Sequence, residues 1–165
     1  MVKTPVRFTL NGQETGLFID EAANLLEALR RGAGDLTPKQ GCAQGTCGTC
    51  TVLIDGEPRL SCITLAQSVE GTHVETTASL GRGEMLAPLQ QAFIDGFAAQ
   101  CGFCTPGMLM AATALLRRNP NPSRDEVIEA ISGNLCRCTG YEPIVDAILE
   151  AARSGGAAGT RAGHG

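Results

Sequence analysis

Tryptophan is absent from this chain of 165 residues, and only 4% of it is aromatic. A core must therefore be built from aliphatic side chains, and so little bulk in a small chain calls for added support such as bound metal. Histidine is nearly absent too. His73 and His164 stand alone, which excludes a histidine-rich metal site or a histidine-based catalytic triad. His73 is expected on a strand surface and His164 in a loose tail. There is no excess of basic residues: the net charge is −4, with no basic helix or recognition motif for nucleic acid. No apolar run is long enough to span a membrane. The opening Met-Val-Lys-Thr-Pro-Val-Arg-Phe is not a signal peptide or twin-arginine signal. No nucleophile stands beside a base, and Gly81-Arg82-Gly83 is too short to be a phosphate loop. These absences leave no candidate for substrate chemistry on this chain.

What is present in quantity is cysteine. The chain has eight, and in a chain expected to be cytoplasmic they point to metal rather than to a disulfide framework. Cys42, Cys47 and Cys50 stand in a C-x4-C-x2-C spacing, and Cys62 follows after 11 intervening residues. That is the spacing of a plant-type two-iron, two-sulfur site. A structural four-thiolate zinc site usually takes two C-x2-C pairs, and only Cys47 and Cys50 make one here. Glycines interleave the cysteines, so the backbone can approach closely and turn its N–H groups toward an anionic group.

The other four cysteines lie further on. Cys101 and Cys104 form a C-x2-C, and Cys136 and Cys138 a C-x-C after 31 intervening residues. Taken alone, this set suits zinc and iron–sulfur equally. Beside a ferredoxin-type loop in the same chain, softness of the ligands and context favour a second two-iron cluster. All eight cysteines are then used, four and four. Two clusters in one small chain imply the passage of electrons, and two clusters with four thiolates each would take the formal charge from −4 to about −8.

The hydrophobic pattern supplies a frame. Val6, Phe8 and Leu10 alternate with polar residues, then Leu17 and Ile19 do, predicting a hairpin turned at Asn11-Gly12. A helix is expected over 22–31, capped by Asp20 or Asn24 and ended by Gly32 and Gly34. Strands follow at 51–54 and, after a turn at Asp55-Gly56, at 58–62, with a last strand at 72–77. Beyond Ser79 the strands stop. After a connector over 81–84, helices are expected at 85–98, 106–118, 125–132 and 143–153. Thr105 is the expected N-cap of the second with Pro106 at its first position. Ser123 and Glu126 match a capping box at the third. Phe103 and Met108 are expected in the core. The reading is α+β: a sheet domain over 1–79, an all-α domain over 80–153, and a flexible tail over 154–165.

Three stretches carry a resemblance. Gly-Cys-Ala-Gln-Gly-Thr-Cys-Gly-Thr-Cys-Thr-Val at 41–52, Gln-Cys-Gly-Phe-Cys-Thr-Pro-Gly-Met at 100–108 and Gly-Asn-Leu-Cys-Arg-Cys-Thr-Gly-Tyr at 133–141 resemble the iron–sulfur subunit of the molybdenum hydroxylases, the xanthine dehydrogenase, aldehyde oxidoreductase and carbon monoxide dehydrogenase family. The likeness runs from about 5 to 153, with no departure at a ligand position. It implies a β-grasp, ferredoxin-like domain followed by a four-helix bundle, each holding one 2Fe–2S cluster.

It also implies partners and a direction. A large subunit would hold molybdopterin, in the cytosine dinucleotide form, and a medium subunit would hold FAD, in a heterotrimer that can be doubled. Gln100 matches the glutamine that reaches the pterin, and Cys138 the ligand lying against it. Electrons would then pass from the molybdenum site to the Cys101, Cys104, Cys136 and Cys138 cluster, on to the distal Cys42, Cys47, Cys50 and Cys62 cluster, and so to FAD or another acceptor. Arg137, between two ligands, suits offsetting cluster charge, meeting the partner, or a plain surface position. The chain is also similar to small subunits of 4-hydroxybenzoyl-CoA reductases, in which electrons run toward molybdenum. Two further readings stand beside these: a free-standing ferredoxin-like carrier, against which the helical domain speaks, and a redox regulator, for which no DNA-binding element is found.

Overall fold

The hairpins follow directly from their turn residues. In this computed structural model, which describes residues 3–81, 83 and 85–155, Asn11 and Asp55 take φ of 51° and 50°, followed by Gly12 and Gly56 at 83° each. Two consecutive positive-φ residues make the type I′ turn that matches strand twist. The first turn joins β1 (Lys3–Leu10) to β2 (Gln13–Asp20), and the second joins β3 (Thr51–Ile54) to β4 (Glu57–Leu60). With β5 (His73–Glu75) they form one mixed sheet in the order β2-β1-β5-β3-β4, in which only the β1–β5 pairing is parallel. His73 is exposed on β5, as expected.

One face of the sheet grips α1 (Leu25–Glu27), which continues as a π turn over Ala28–Gly32. Of the two expected caps, Asn24 is used: its side chain accepts the Glu27 N–H at 2.9 Å. Leu25 and Leu29 are fully buried against Val6, Phe8, Val52 and Val74. Each such side chain contributes about 2 kcal/mol by leaving water. The expected strand end at Cys62 is instead a 3₁₀ turn, Ser61–Ile63.

The helical part has four helices among the described residues: α2 (Pro88–Asp95), α3 (Thr105–Arg118), α4 (Arg124–Ile131) and α5 (Glu142–Arg153). Phe93, Met108, Leu116, Val127, Ile144 and Ile148 form the centre of their core. Two expectations shift. α2 begins at Pro88 rather than Met85, because proline fixes the first turn there. Met85 and Leu86 are left exposed. Thr105 is not the N-cap of α3: the Cys104 carbonyl already accepts the Met108 N–H at 3.1 Å, so the helix starts one residue earlier, with Cys104 as cap. The capping box of α4 is present as expected, with Ser123 Oγ accepting the Glu126 N–H and Glu126 accepting the Ser123 N–H.

The two parts share a face. Leu53 of β3 packs on Met110 and Ala114 of α3, on the side of the sheet opposite α1. A bidentate ion pair from Arg117 of α3 to Glu75 of β5, at 2.7 and 2.8 Å, closes the seam. No helix among the described residues is long and apolar enough to cross a membrane. Most of the expected tail and connector, including His164, Arg82 and Glu84, lies outside the described residues.

Candidate metal centres

The sheet assembles the first group of thiols. Cys50 directly precedes β3, and Cys62 follows β4 by two residues. The register that pairs Thr51 with Leu60 brings the two cysteines side by side. Ser61 fastens them, donating its N–H (3.3 Å) and its hydroxyl (2.7 Å) to the Cys50 carbonyl. Both thiols are buried, at 2% and 8% exposure. Cys42 and Cys47 lie nearer the surface of the loop. The Cys42 thiol contacts that of Cys47, and those of Cys62 and Cys50 contact each other.

The electrostatics of the two pairs differ. The Thr46 hydroxyl and the Gln44 and Thr46 N–H groups lower the Cys42 thiol to about 5. The Thr46 N–H lies 3.4 Å from its sulfur. Burial, with Cys50 alongside, pushes Cys62 up to about 11. A cation is what lets such a buried thiol ionise.

The second group lies where two interhelical loops meet. Cys101 Sγ and Cys138 Sγ are 3.6 Å apart and exposed. Cys104 touches Cys136. Burial, then Cys136, pushes Cys104 up to about 12. Burial also raises Cys136, but the Thr139 hydroxyl and the Thr139 and Cys138 N–H groups outweigh it and hold that thiol below its ordinary value. Cys138 is raised by its hydrogen bond with Cys101.

The donor set fits two-iron clusters. Two sulfurs bound to one tetrahedral metal at ~2.3 Å stand roughly 3.75 Å apart, close to the Cys101–Cys138 separation. The thiols stand in pairs, Cys42 with Cys47, Cys50 with Cys62, Cys101 with Cys138 and Cys104 with Cys136. A two-iron cluster takes two thiolates on each iron. The N-terminal end of α3, at Cys104, adds positive partial charge suited to an anionic cluster. Beside it Thr105 Oγ1 is buried without a hydrogen-bond partner among the described residues.

The two loops are fastened together. The Leu135 N–H donates to the Cys47 carbonyl at 2.9 Å, so a residue adjoining Cys136 is bonded to a cysteine of the first group. Buried Asn134 donates to the Gly48 carbonyl at 2.9 Å and lies 3.3 Å from Thr51 Oγ1. Two glycines permit this approach. A Cβ on Gly48, at φ 72°, would stand 2.4 Å from the Gly133 carbonyl oxygen, and one on Gly107 would stand 2.2 Å from the Gly48 oxygen.

Outside the cysteines, Gln100 is exposed between α2 and α3, with no side-chain hydrogen bond among the described residues. Arg137 is exposed and forms no ion pair among them. Met108 is in the core, as expected, but Phe103 is 46% exposed. It lies in the tight turn between two cysteines, so core packing is corrected to surface. Phe97, near Gln100, is 81% exposed and Ile94 56%. Sequence reasoning passed over Thr139, Tyr141 and Asn134, although all three lie within the Gly133–Tyr141 stretch quoted above.

Two family models match. One, a 2Fe-2S iron-sulfur cluster binding domain, covers residues 13–94, and the other, a [2Fe-2S] binding domain, covers 74–149. The chain is 49% identical over 142 residues to the nicotine 6-hydroxylase small subunit of Paenarthrobacter nicotinovorans, covering 86% of each. It is 43% identical to the xanthine dehydrogenase iron-sulfur-binding subunit of Escherichia coli O157:H7, covering 88% of this chain and 92% of that one. In the solved structure of quinoline 2-oxidoreductase from Pseudomonas putida 86, a chain 49% identical superposes with a TM-score of 0.89, over 94% of this chain and 99% of that one.

Proposed function

Because this chain belongs to the iron–sulfur small subunits of the molybdenum hydroxylase family, electron-transfer subunits of multi-subunit oxidoreductases acting on heterocycles or aldehydes, we propose a specific division of labour among its residues. Cys42, Cys47, Cys50 and Cys62 hold one 2Fe–2S cluster, and Cys101, Cys104, Cys136 and Cys138 hold the other. When bound, each cluster takes up and gives back one electron. The boundary between the two cluster domains falls near 79/80.

The observation that carries this reading is the hydrogen bond from Leu135 N–H to the Cys47 carbonyl. It ties the backbone of one four-cysteine group to that of the other, which is the connection a relay needs and two independent structural metals do not.

Exposure supports an orientation toward the partner subunits. Cys101 and Cys138 are exposed, with Gln100 close by in sequence and without a side-chain hydrogen bond among the described residues. That face meets a large subunit holding molybdopterin, whose pterin Gln100 and Cys138 approach. The exposed Phe97 and Ile94 suit an apolar contact there. The first group lies toward FAD on a medium subunit, or another acceptor. A cytoplasmic setting suits this chain, because there its thiols stay reduced until loaded.

The test is iron, labile sulfide and low-temperature EPR on the complex purified through this chain. About four irons and two 2Fe–2S signals are expected, together with molybdenum. Cys50→Ala and Cys104→Ala should each remove one signal and leave the other. About two irons with bound zinc, or no molybdenum-containing partner, would overturn the reading.

A further inference from the structure

Cys136 sits in a closed ring of hydrogen bonds. Its N–H donates to the Tyr141 hydroxyl at 3.0 Å. The Tyr141 N–H donates to Thr139 Oγ1 at 3.2 Å. Thr139 Oγ1 lies 3.2 Å from Cys136 Sγ. The threonine oxygen has a single proton and already accepts from Tyr141. Once Cys136 is a thiolate it has no proton to give, so the Thr139 hydroxyl must be the donor to sulfur. Tyr141 holds this arrangement at a cost, since it adopts φ 72° without being glycine.

The ring changes what the sulfur receives. The Cys136 N–H is taken by the tyrosine oxygen, while its sulfur receives the Thr139 and Cys138 N–H groups and, in addition to them, the Thr139 hydroxyl. The first group has threonine hydroxyls of its own, Thr46 beside the Cys42 sulfur among them, but none is held in such a ring among the described residues. Thr49 Oγ1 is also 3.2 Å from Cys47 Sγ, but the Lys39 carbonyl, 3.1 Å away, competes for its proton.

We propose that Thr139, oriented by Tyr141, is a redox-tuning positioning residue: its hydroxyl donates to Cys136 Sγ and raises the reduction potential of the helical-domain cluster alone. The sign follows from charge. Reduction adds one negative charge with no proton, and a donor to the thiolate stabilises the more negative state. The inference rests on Cys136 being a cluster ligand.

The experiment is an EPR-monitored redox titration of the whole complex carrying Thr139→Val or Thr139→Ser, beside wild type. Thr139→Val should lower the midpoint of one cluster and leave the other unmoved, and Thr139→Ser should restore it. Unmoved midpoints in a fully loaded Thr139→Val complex would overturn the proposal, as would an equal drop in both variants. If Thr139→Val loses its cluster, wild-type protein still decides. Electron–nuclear double resonance of wild-type protein before and after exchange into D2O should show an exchangeable proton coupled to the reduced helical-domain cluster, retained in Thr139→Ser; a wild-type cluster without such a proton overturns the assignment. Failure of the underlying ligand reading is separate, because wild-type protein would then hold about two irons.

Discussion

Phe97 combines two features that a residue carries only for a reason. Among the described residues it is the most exposed of the large apolar side chains, at 81%, and it takes φ 51°. A bulky residue in the left-handed region costs of order 1–3 kcal/mol. Asparagine tolerates that region. Phe97→Asn is therefore expected to raise the stability of the chain by up to about 1 kcal/mol in thermal unfolding, while weakening its retention of the large subunit in co-purification. Gln100→Ala should leave stability within about 0.5 kcal/mol, since its exposed side chain makes no hydrogen bond among the described residues. The cysteines could be read from spacing alone because ligand chemistry constrains both residue type and separation. Phe103 could not be placed that way, because an apolar side chain in a tight loop reaches the surface as readily as the core.

Asn134 and the two glycines show what element-scale contacts contribute. Asn134 lies 86 positions from Gly48, yet it is hydrogen-bonded to it. Asn134→Ala strips the Gly48 carbonyl of a buried donor, with an expected loss of about 1–3 kcal/mol. Gly107→Ala drives a methyl into the Gly48 oxygen and should cost about 3 kcal/mol or more. Both are checked by thermal unfolding of the cluster-loaded protein. For comparison, Ser123→Ala at the cap of α4 should cost about 1 kcal/mol, with no change in cluster signals. The hairpins and the α4 cap were legible because each is specified by neighbouring residues. The π turn after α1 and the start of α3 were not, being decided by packing and by a backbone hydrogen bond at Cys104. The fastening of the two loops was invisible for the same reason: no local pattern reports a contact across so much chain.

At the scale of the whole molecule, a sheet with a helix on each face ties the two cluster-bearing parts together. Leu53 meets Met110 and Ala114, and Arg117 meets Glu75. Met110→Ala, at a side chain 1% exposed, is expected to cost about 2–5 kcal/mol. It should lower the unfolding temperature of both parts together, with circular dichroism and cluster absorbance changing at the same temperature. Two separated transitions would contradict a shared seam. The sequence reading drew two domains and missed the seam between them. Its trace was present in Thr51-Val52-Leu53-Ile54, where Val52 and Leu53 both end fully buried, the mark of a strand covered on both faces.

The unequal depth of the cysteines sets an order for maturation. Cys50 and Cys62 are enclosed by the chain's own fold, whereas Cys101 and Cys138 stand open to solvent. On the proposed ligand sets, iron and sulfide would reach the second group of the folded chain through Cys101 and Cys138, and the first only from the side of Cys42 and Cys47. A large subunit seated as proposed would close the first of these doors, so the second group would have to be filled before assembly.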